Sequence, residues 1–305
     1  MKTILITGHE GLVGRHLWPH LKILGYQLKG IDLKAKKKHF LGDITNKKAL
    51  EKAIDNCDGI IHLAGVSRVI WGERNPDLCW KTNAQASINL LDLASKSKKK
   101  PWVLVASSRE VYGEPKSLPV NENYPLAPIN VYGRAKVAME EAALKARISG
   151  LKTAVVRLAN VYGCIQDHHD RVLPAFCLAA VKGEALRVDG SEHTFDFTHI
   201  SDTVDGLLRI IDKLESGKAD LPPIHLLPGI ATTLGKAAKL AVEAANSSSS
   251  INEAPSRTYD VARFIGDSSL ARKLLGWEAK ITPSEGIQLL VSAFQQQFKT
   301  EVENA

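Results

Sequence analysis

Short apolar runs alternate with amphipathic, helix-spaced stretches through the first half of the chain. Thr3-Ile4-Leu5-Ile6 is followed by a glycine-containing turn and a helical pattern over residues 12–24. Gln27-Leu28-Lys29-Gly30-Ile31-Asp32, Gly59-Ile60-Ile61-His62-Leu63, Trp102-Val103-Leu104-Val105 and Thr153-Ala154-Val155-Val156-Arg157-Leu158 read as further strands. Strands separated by helices predict an α/β protein with a doubly wound parallel sheet and right-handed crossovers. Further on, Gly and Pro punctuate the chain more often and the elements shorten. Asn246-Ser247-Ser248-Ser249-Ser250 reads as a flexible surface loop or a mobile flap. Leu270, Leu274 and Leu275, then Ile287, Leu290 and Phe294, keep helical spacing. Residues 300–305 are expected to fray.

Composition narrows the class without choosing a function. The 305 residues, 44% of them hydrophobic, support one large domain or two unequal ones sharing a cleft. The net charge of +7 comes largely from lysine clusters such as Lys96, Lys98, Lys99 and Lys100. Without aromatic interleaving or a recognisable module, these read as solvated surface and not as nucleic-acid contacts. Cys57, Cys79, Cys164 and Cys177 lack metal-ligand or CxxC spacing and read as thiols in a reducing compartment. The opening MKTILITGHEGLVG is broken too early for a signal peptide, and no span is long enough to cross a bilayer. The expectation is a soluble cytoplasmic protein without a membrane partner.

The first turn carries the strongest chemical signal. In TGHEGLVG, Gly8, Gly11 and Gly14 stand at three-residue intervals between a strand and a helix. Glycine lets the chain turn sharply and lets a pyrophosphate approach backbone N–H groups, and the helix N-terminus favours the anion. Asp32 ends the second strand, 18 residues after Gly14. A carboxylate there accepts hydrogen bonds from both adenosine ribose hydroxyls and repels a 2′-phosphate, favouring NAD over NADP. Lys34, Lys36, Lys37 and Lys38 keep NADP as the minority alternative. Asp43, in LGDITN, is either an N-cap or a contact to the adenine amino group.

Further motifs follow in order: His62-Leu63-Ala64-Gly65, Asn83, Ser107-Ser108, Tyr132-Gly-Arg-Ala-Lys136, Arg157-Leu-Ala-Asn160-Val-Tyr-Gly163, Asp196-Phe197 with Asp202, and Leu275-Gly276-Trp277. This ordered set, together with the glycine turn, resembles the extended short-chain dehydrogenase/reductase family, the NAD-dependent epimerase/dehydratases of nucleotide sugars. The resemblance implies a Rossmann domain over residues 1–160, to which 197–228 returns. It implies a smaller C-terminal α/β substrate domain from 161–196 and 229–305. NAD would be held tightly by Gly8, Gly11, Leu12, Val13, Gly14, Asp32, Asp43, Ile44, Leu63, Ala64, Gly65, Asn83, Tyr132 and Lys136. A UDP-linked nucleotide sugar would fill the cleft, with Asn160 and Arg257 on its diphosphate, guanidinium being suited to phosphate. A homodimer through a four-helix bundle is also implied. Two departures stand out. Ala86 occupies a usual glycine position, and Phe195 stands where many members carry a diphosphate-binding arginine.

Tyr132 and Lys136, four apart on a predicted helix, share a face. A free tyrosine has a pKa near 10, so a base at neutral pH needs help. A nearby ammonium and the positive nicotinamide ring favour phenolate, letting Tyr132 take a sugar hydroxyl proton while hydride passes to NAD. Lys136 would also hold the nicotinamide ribose. Ser108 would hydrogen-bond the reacting oxygen, its alternative being a strand-end cap. In the family's 4,6-dehydratases an Asp-Glu pair follows the hydroxyl. Arg109 takes the aspartate place and cannot serve as a general acid. Glu110 is left with three roles: proton transfer, a substrate hydroxyl contact, or a partner for Arg109. His168, His169 and Asp170 read as a loop, and the chemistry asks for no metal. The first reading is a UDP-hexose 4-epimerase working by transient C4 oxidation. The alternatives are UDP-glucuronate decarboxylation, dehydration through Glu110, or a catalytically idle NAD-binding regulatory protein.

Overall fold

The computed structural model describes residues 1–218, 220–256 and 261–303. The apolar runs form parallel strands β1 (Thr3–Thr7), β2 (Gln27–Ile31), β3 (Gly59–His62), β4 (Trp102–Ser108) and β5 (Thr153–Leu158). A sixth, Ile224–Leu226, pairs in parallel with β5. From edge to edge the order is Ile224–Leu226, β5, β4, β3, β1, β2. The winding reverses between β1 and β3, and the crevice at such a switch point is where ligands bind in doubly wound sheets. Thr7 lies opposite both Ile31 and His62 in the ladder, which brings the ends of β1, β2 and β3 to one level.

Both faces of the sheet are covered, which explains why its strands read as unbroken apolar runs. Side chains alternate across the pleat. Ile4, Ile6 and Leu104 face one layer with Leu207, Ile210 and Trp277, while Leu5, Val103 and Val105 face the other with Leu90 and Met139. A separate apolar cluster holds the rest of the C-terminal half. Phe176, Val188, Phe195, Phe197, Ile287 and Phe294 meet there under helices Val172–Lys182, Leu234–Ala245 and Pro283–Glu303. Helix Ile200–Glu215 lies on the main sheet instead, through Val204, Leu207 and Ile211.

Two expectations change. The serine run is a short, tied connection and not a flap. Asn246 adopts φ +49° at the end of its helix, Ser247 N donates to Val242 O, and Ser247 Oγ meets Ser249 Oγ at 2.8 Å. This left-handed helix cap is a local geometry that asparagine tolerates. The last helix also continues to Glu303, past the point where fraying was expected.

Three motif residues prove architectural. The Asp202 carboxylate accepts from Lys280 N and Ile281 N, both at 3.0 Å, and its carbonyl accepts from Trp277 Nε1 at 3.1 Å. Trp277 is fully buried beside it. The Asp196 carboxylate accepts from the backbone amides of Gly229, Ile230 and Gly266. These bonds join separate segments of the second half of the chain to one another.

Helix Val131–Ile148 is fastened to β5 by a buried ion pair. Arg157 Nη2 lies 2.6 Å from Glu140 Oε2 and Arg157 Nε lies 3.0 Å from Oε1. The two side chains are 4% and 2% exposed. Removing one partner from such a pair leaves an uncompensated charge in the core, costing about 3–5 kcal/mol. Glu140→Ala should lower the urea unfolding free energy by about that amount. A loss within the range of an ordinary surface substitution would contradict this role.

Candidate active site

A cleft of about 1140 Å³ opens along the ends of the strands, with walls from both halves of the chain. Gly8, Gly11, Leu12, Val13 and Gly14 form one end of it. Gly8 turns at φ +73°, and a Cβ at Gly14 would sit 2.5 Å from Gly8 O and 2.6 Å from His9 Cα. Only glycine permits that approach of helix Leu12–Ile23 to the turn. Asp32 joins two loops, its carboxylate accepting from Glu10 N at 3.0 Å and Lys34 N at 2.8 Å. Asp43 lines the cleft but is not the N-cap. Its side chain accepts from Thr45 N at 2.8 Å, and Asn46 caps helix Lys47–Ile54 by accepting from Ala49 N. Ile44, Leu63, Ala64 and Gly65 complete this wall.

Asn83, expected against the cofactor, stands behind the wall. It is 1% exposed, accepts from Val66 N at 2.7 Å and donates to Val66 O at 2.9 Å, so it shapes the loop after β3. Asn160 reaches the cleft with φ +36° and donates to Asp196 O at 3.2 Å. Arg257 lies outside the described residues.

Ser108, Glu110, Tyr132 and Lys136 converge at the other end of the cleft. Asn130 caps helix Val131–Ile148 by accepting from Gly133 N at 2.8 Å. A Cβ at Gly133 would lie 2.6 Å from Glu110 O, so glycine within the Tyr-Gly-Arg-Ala-Lys motif lets the helix touch the turn after β4. Lys136 Nζ donates to Ala106 O at 2.7 Å and lies 5.8 Å from the centre of the Tyr132 ring. Ser108 serves in two ways. Its Oγ accepts from Glu110 N at 3.2 Å, as a strand-end cap would, and its hydroxyl acts to lower the Tyr132 pKa.

Glu110 has both oxygens engaged. Oε1 lies 2.9 Å from Arg109 Nη2, and Oε2 accepts from Asn130 Nδ2 at 2.8 Å. Of the three roles left open by the sequence, this geometry favours the partner of Arg109.

The model of the NAD dependent epimerase/dehydratase family matches residues 4–221. UDP-glucuronic acid decarboxylase 1 of Danio rerio is 31% identical, across 99% of this chain and 75% of that protein. Its namesake from Xenopus tropicalis is 30% identical over 99% and 74%. Among solved structures, the UDP-glucose 4-epimerase of Thermotoga maritima with UDP-glucose is 29% identical, with a TM-score of 0.88 over 97% of this chain and 99% of that one. The chain belongs to the NAD dependent epimerase/dehydratase family.

NAD is the cofactor of this family, and the residues present fit it. Gly8, Gly11 and Gly14 line the cleft, and a Cβ at Gly8 would press on the Ala64 backbone as one at Gly14 would on Gly8 and His9, so the tight turn that presents its backbone to a pyrophosphate requires glycine. No helix among the described residues is long and apolar enough to cross a membrane. Burial pushes the Tyr132 hydroxyl up to about 12, outweighing the Ser108 hydrogen bond that lowers it. The protein's own groups therefore favour the protonated form of Tyr132, and the phenolate expected at the sequence level needs the positive nicotinamide ring as well as the Lys136 ammonium. Burial likewise lowers Lys136 to about 8. The sequence reading missed Asn130, which both caps the Tyr132 helix and orients Glu110. The signal was present as an asparagine directly before the first helical residue.

Lys136 makes stability depend on pH with a definite sign. Its unfolded form keeps the proton to about pH 10.5, while the native form releases it near 8. Between these values the unfolded state binds more protons, so this residue makes stability rise with pH by about 1.4 kcal/mol per unit. Urea unfolding across that window should show the parent gaining stability relative to Lys136→Met as pH rises, the buried thiols acting equally in both. Parallel curves would refute the assignment.

Proposed function

We propose that the protein is an NAD-dependent UDP-glucuronate decarboxylase. The observation that carries this reading is the similarity to UDP-glucuronic acid decarboxylases over nearly the whole chain. It displaces UDP-hexose 4-epimerisation from first place. Epimerisation stays as the second reading, supported by the Thermotoga maritima structure. Arg109 in place of a carboxylic acid argues against 4,6-dehydration, and the convergence of Ser108, Tyr132 and Lys136 argues against an idle binding protein.

The glycine-turn amides would hold the NAD pyrophosphate, Asp32 the adenosine ribose, Asp43 and Ile44 the adenine side, and Lys136 the nicotinamide ribose. When bound, NAD would supply reversible hydride acceptance at C4, and its positive ring would add to the pull toward a Tyr132 phenolate. Tyr132 takes the C4 hydroxyl proton, and Ser108 hydrogen-bonds the same oxygen. The 4-ketone makes the C5 carboxylate a β-keto acid. The C5–C6 bond then breaks, CO2 leaves, and the electron pair passes to the C4 oxygen. The Ser108 and Tyr132 hydroxyls would stabilise that oxyanion. Water reprotonates C5, and the product is a UDP-pentose. Asn160 would contact the diphosphate, as would Arg257. A homodimer through helices Ala86–Lys96 and Val131–Ile148 would cover Ile88, Leu144 and Ile148, which are exposed.

Proton NMR in D2O with UDP-glucuronate tests the reading. A UDP-pentose carrying solvent deuterium at C5 is expected. A product of unchanged mass without deuterium would instead support epimerisation. Tyr132→Phe should lower turnover by about 10²–10⁴-fold while NAD remains bound. Undiminished turnover would remove Tyr132 from the mechanism.

A further inference from the structure

The cleft contains a cation that the glycine and tyrosine motifs do not call for. Arg109 follows Ser108 at the end of β4 and lines the cleft, with its side chain only 10% exposed. Its guanidinium carbon lies 4.5 Å from the centre of the Phe195 ring and 5.7 Å from that of Phe264. Nη2 is paired with Glu110, which Asn130 steadies from the other side. Nη1, shielded from solvent, has no hydrogen-bond partner among the described residues. The Asp196 carboxylate, which also feels the Arg109 charge, is directed at three backbone amides.

This is the arrangement of a preorganised anion receptor. The guanidinium is clasped between two phenyl rings and a carboxylate, so little rotational freedom remains to be lost on binding. A dry, unpaired N–H is unfavourable until an acceptor reaches it. Phe195, where the family resemblance predicts an arginine, provides the ring on which this cation rests. Location selects the anion. Ser108 is one residue away and serves the C4 oxygen, and the ring carbon next to C4 is C5, which carries the carboxylate of a sugar acid. We propose that Arg109 is the specificity-determining residue of the cleft and takes the C6 carboxylate of a UDP-linked sugar acid. This assignment rests on the reading that the substrate is a UDP-sugar oxidised at C4. A neutral hydroxymethyl group offers one acceptor and no charge, so UDP-hexoses are discriminated against.

The test is calorimetric titration of NAD-loaded protein with UDP-glucuronate, UDP-glucose and UDP, in a Tyr132→Phe background that blocks conversion. Adding Arg109→Met should weaken UDP-glucuronate by about ten- to a hundredfold and leave UDP-glucose and UDP nearly unchanged. An equal loss for all three would place Arg109 on the diphosphate, and no loss would make it a purely structural clasp. Either result overturns the proposal. Because Arg109→Met strands the Glu110 charge, Arg109→Met/Glu110→Gln is the second variant and must show the same selective loss. Product NMR on the parent protein separates the two claims. Selective binding through Arg109 without loss of CO2 would retire decarboxylation and keep this assignment. Loss of CO2 with unaltered selectivity in the variants would do the reverse.

Discussion

The Arg157–Glu140 ion pair is the constraint on which the catalytic end of the cleft depends. Arg157 belongs to β5 and Glu140 to the helix that carries Tyr132 and Lys136, so their bidentate contact fixes that helix on the sheet. Arg157 also donates to the Tyr112 hydroxyl at 2.6 Å, and Tyr112 meets His225 on the sixth strand at 2.6 Å. A charged pair this deep contributes little net stability against apolar replacements, because desolvation offsets attraction. What it supplies is register. Beside the apolar contacts of Ala135, Met139 and Ala143, it is a directional link that ties one point of the helix to one point of β5.

Two buried cations line this end of the cleft with different partners, Lys136 from the helix and Arg109 from the turn after β4. Lys136 is aimed at a carbonyl at the end of β4, and Arg109 is aimed at a carboxylate that Asn130 holds. Both act through an environment that excludes water, where charge-assisted hydrogen bonds count for more. The cost is visible in Tyr132, whose hydroxyl is pushed away from ionisation by the burial that positions it. The positive ring of a bound NAD would add the pull toward phenolate that the protein's own groups do not supply.

The sheet and cofactor end were legible in the sequence because their signals are local. Apolar strand runs, glycines at a strand-helix turn and a Tyr-Lys spacing each depend on a few neighbouring residues. Asn83 was misplaced because its partner, Val66, is distant in sequence and hidden behind the cleft wall. The serine run was misread because composition suggested a mobile segment, while one asparagine in a left-handed conformation supplies a definite cap. The seat of Arg109 was invisible because Phe195, Phe264 and Asn130 come from three separate segments. Reaction class was least legible, since the motifs quoted from the sequence are common to the epimerases, decarboxylases and dehydratases of the family.

The central claim is that one C4 hydrogen leaves the sugar and the same hydrogen returns. It is tested most directly with UDP-glucuronate carrying deuterium at C4, converted in ordinary water and followed by NMR and mass spectrometry. A product that keeps the deuterium at C4, formed in turnover dependent on Tyr132, is expected. A product with ordinary hydrogen at C4 would show exchange with solvent and contradict internal hydride return.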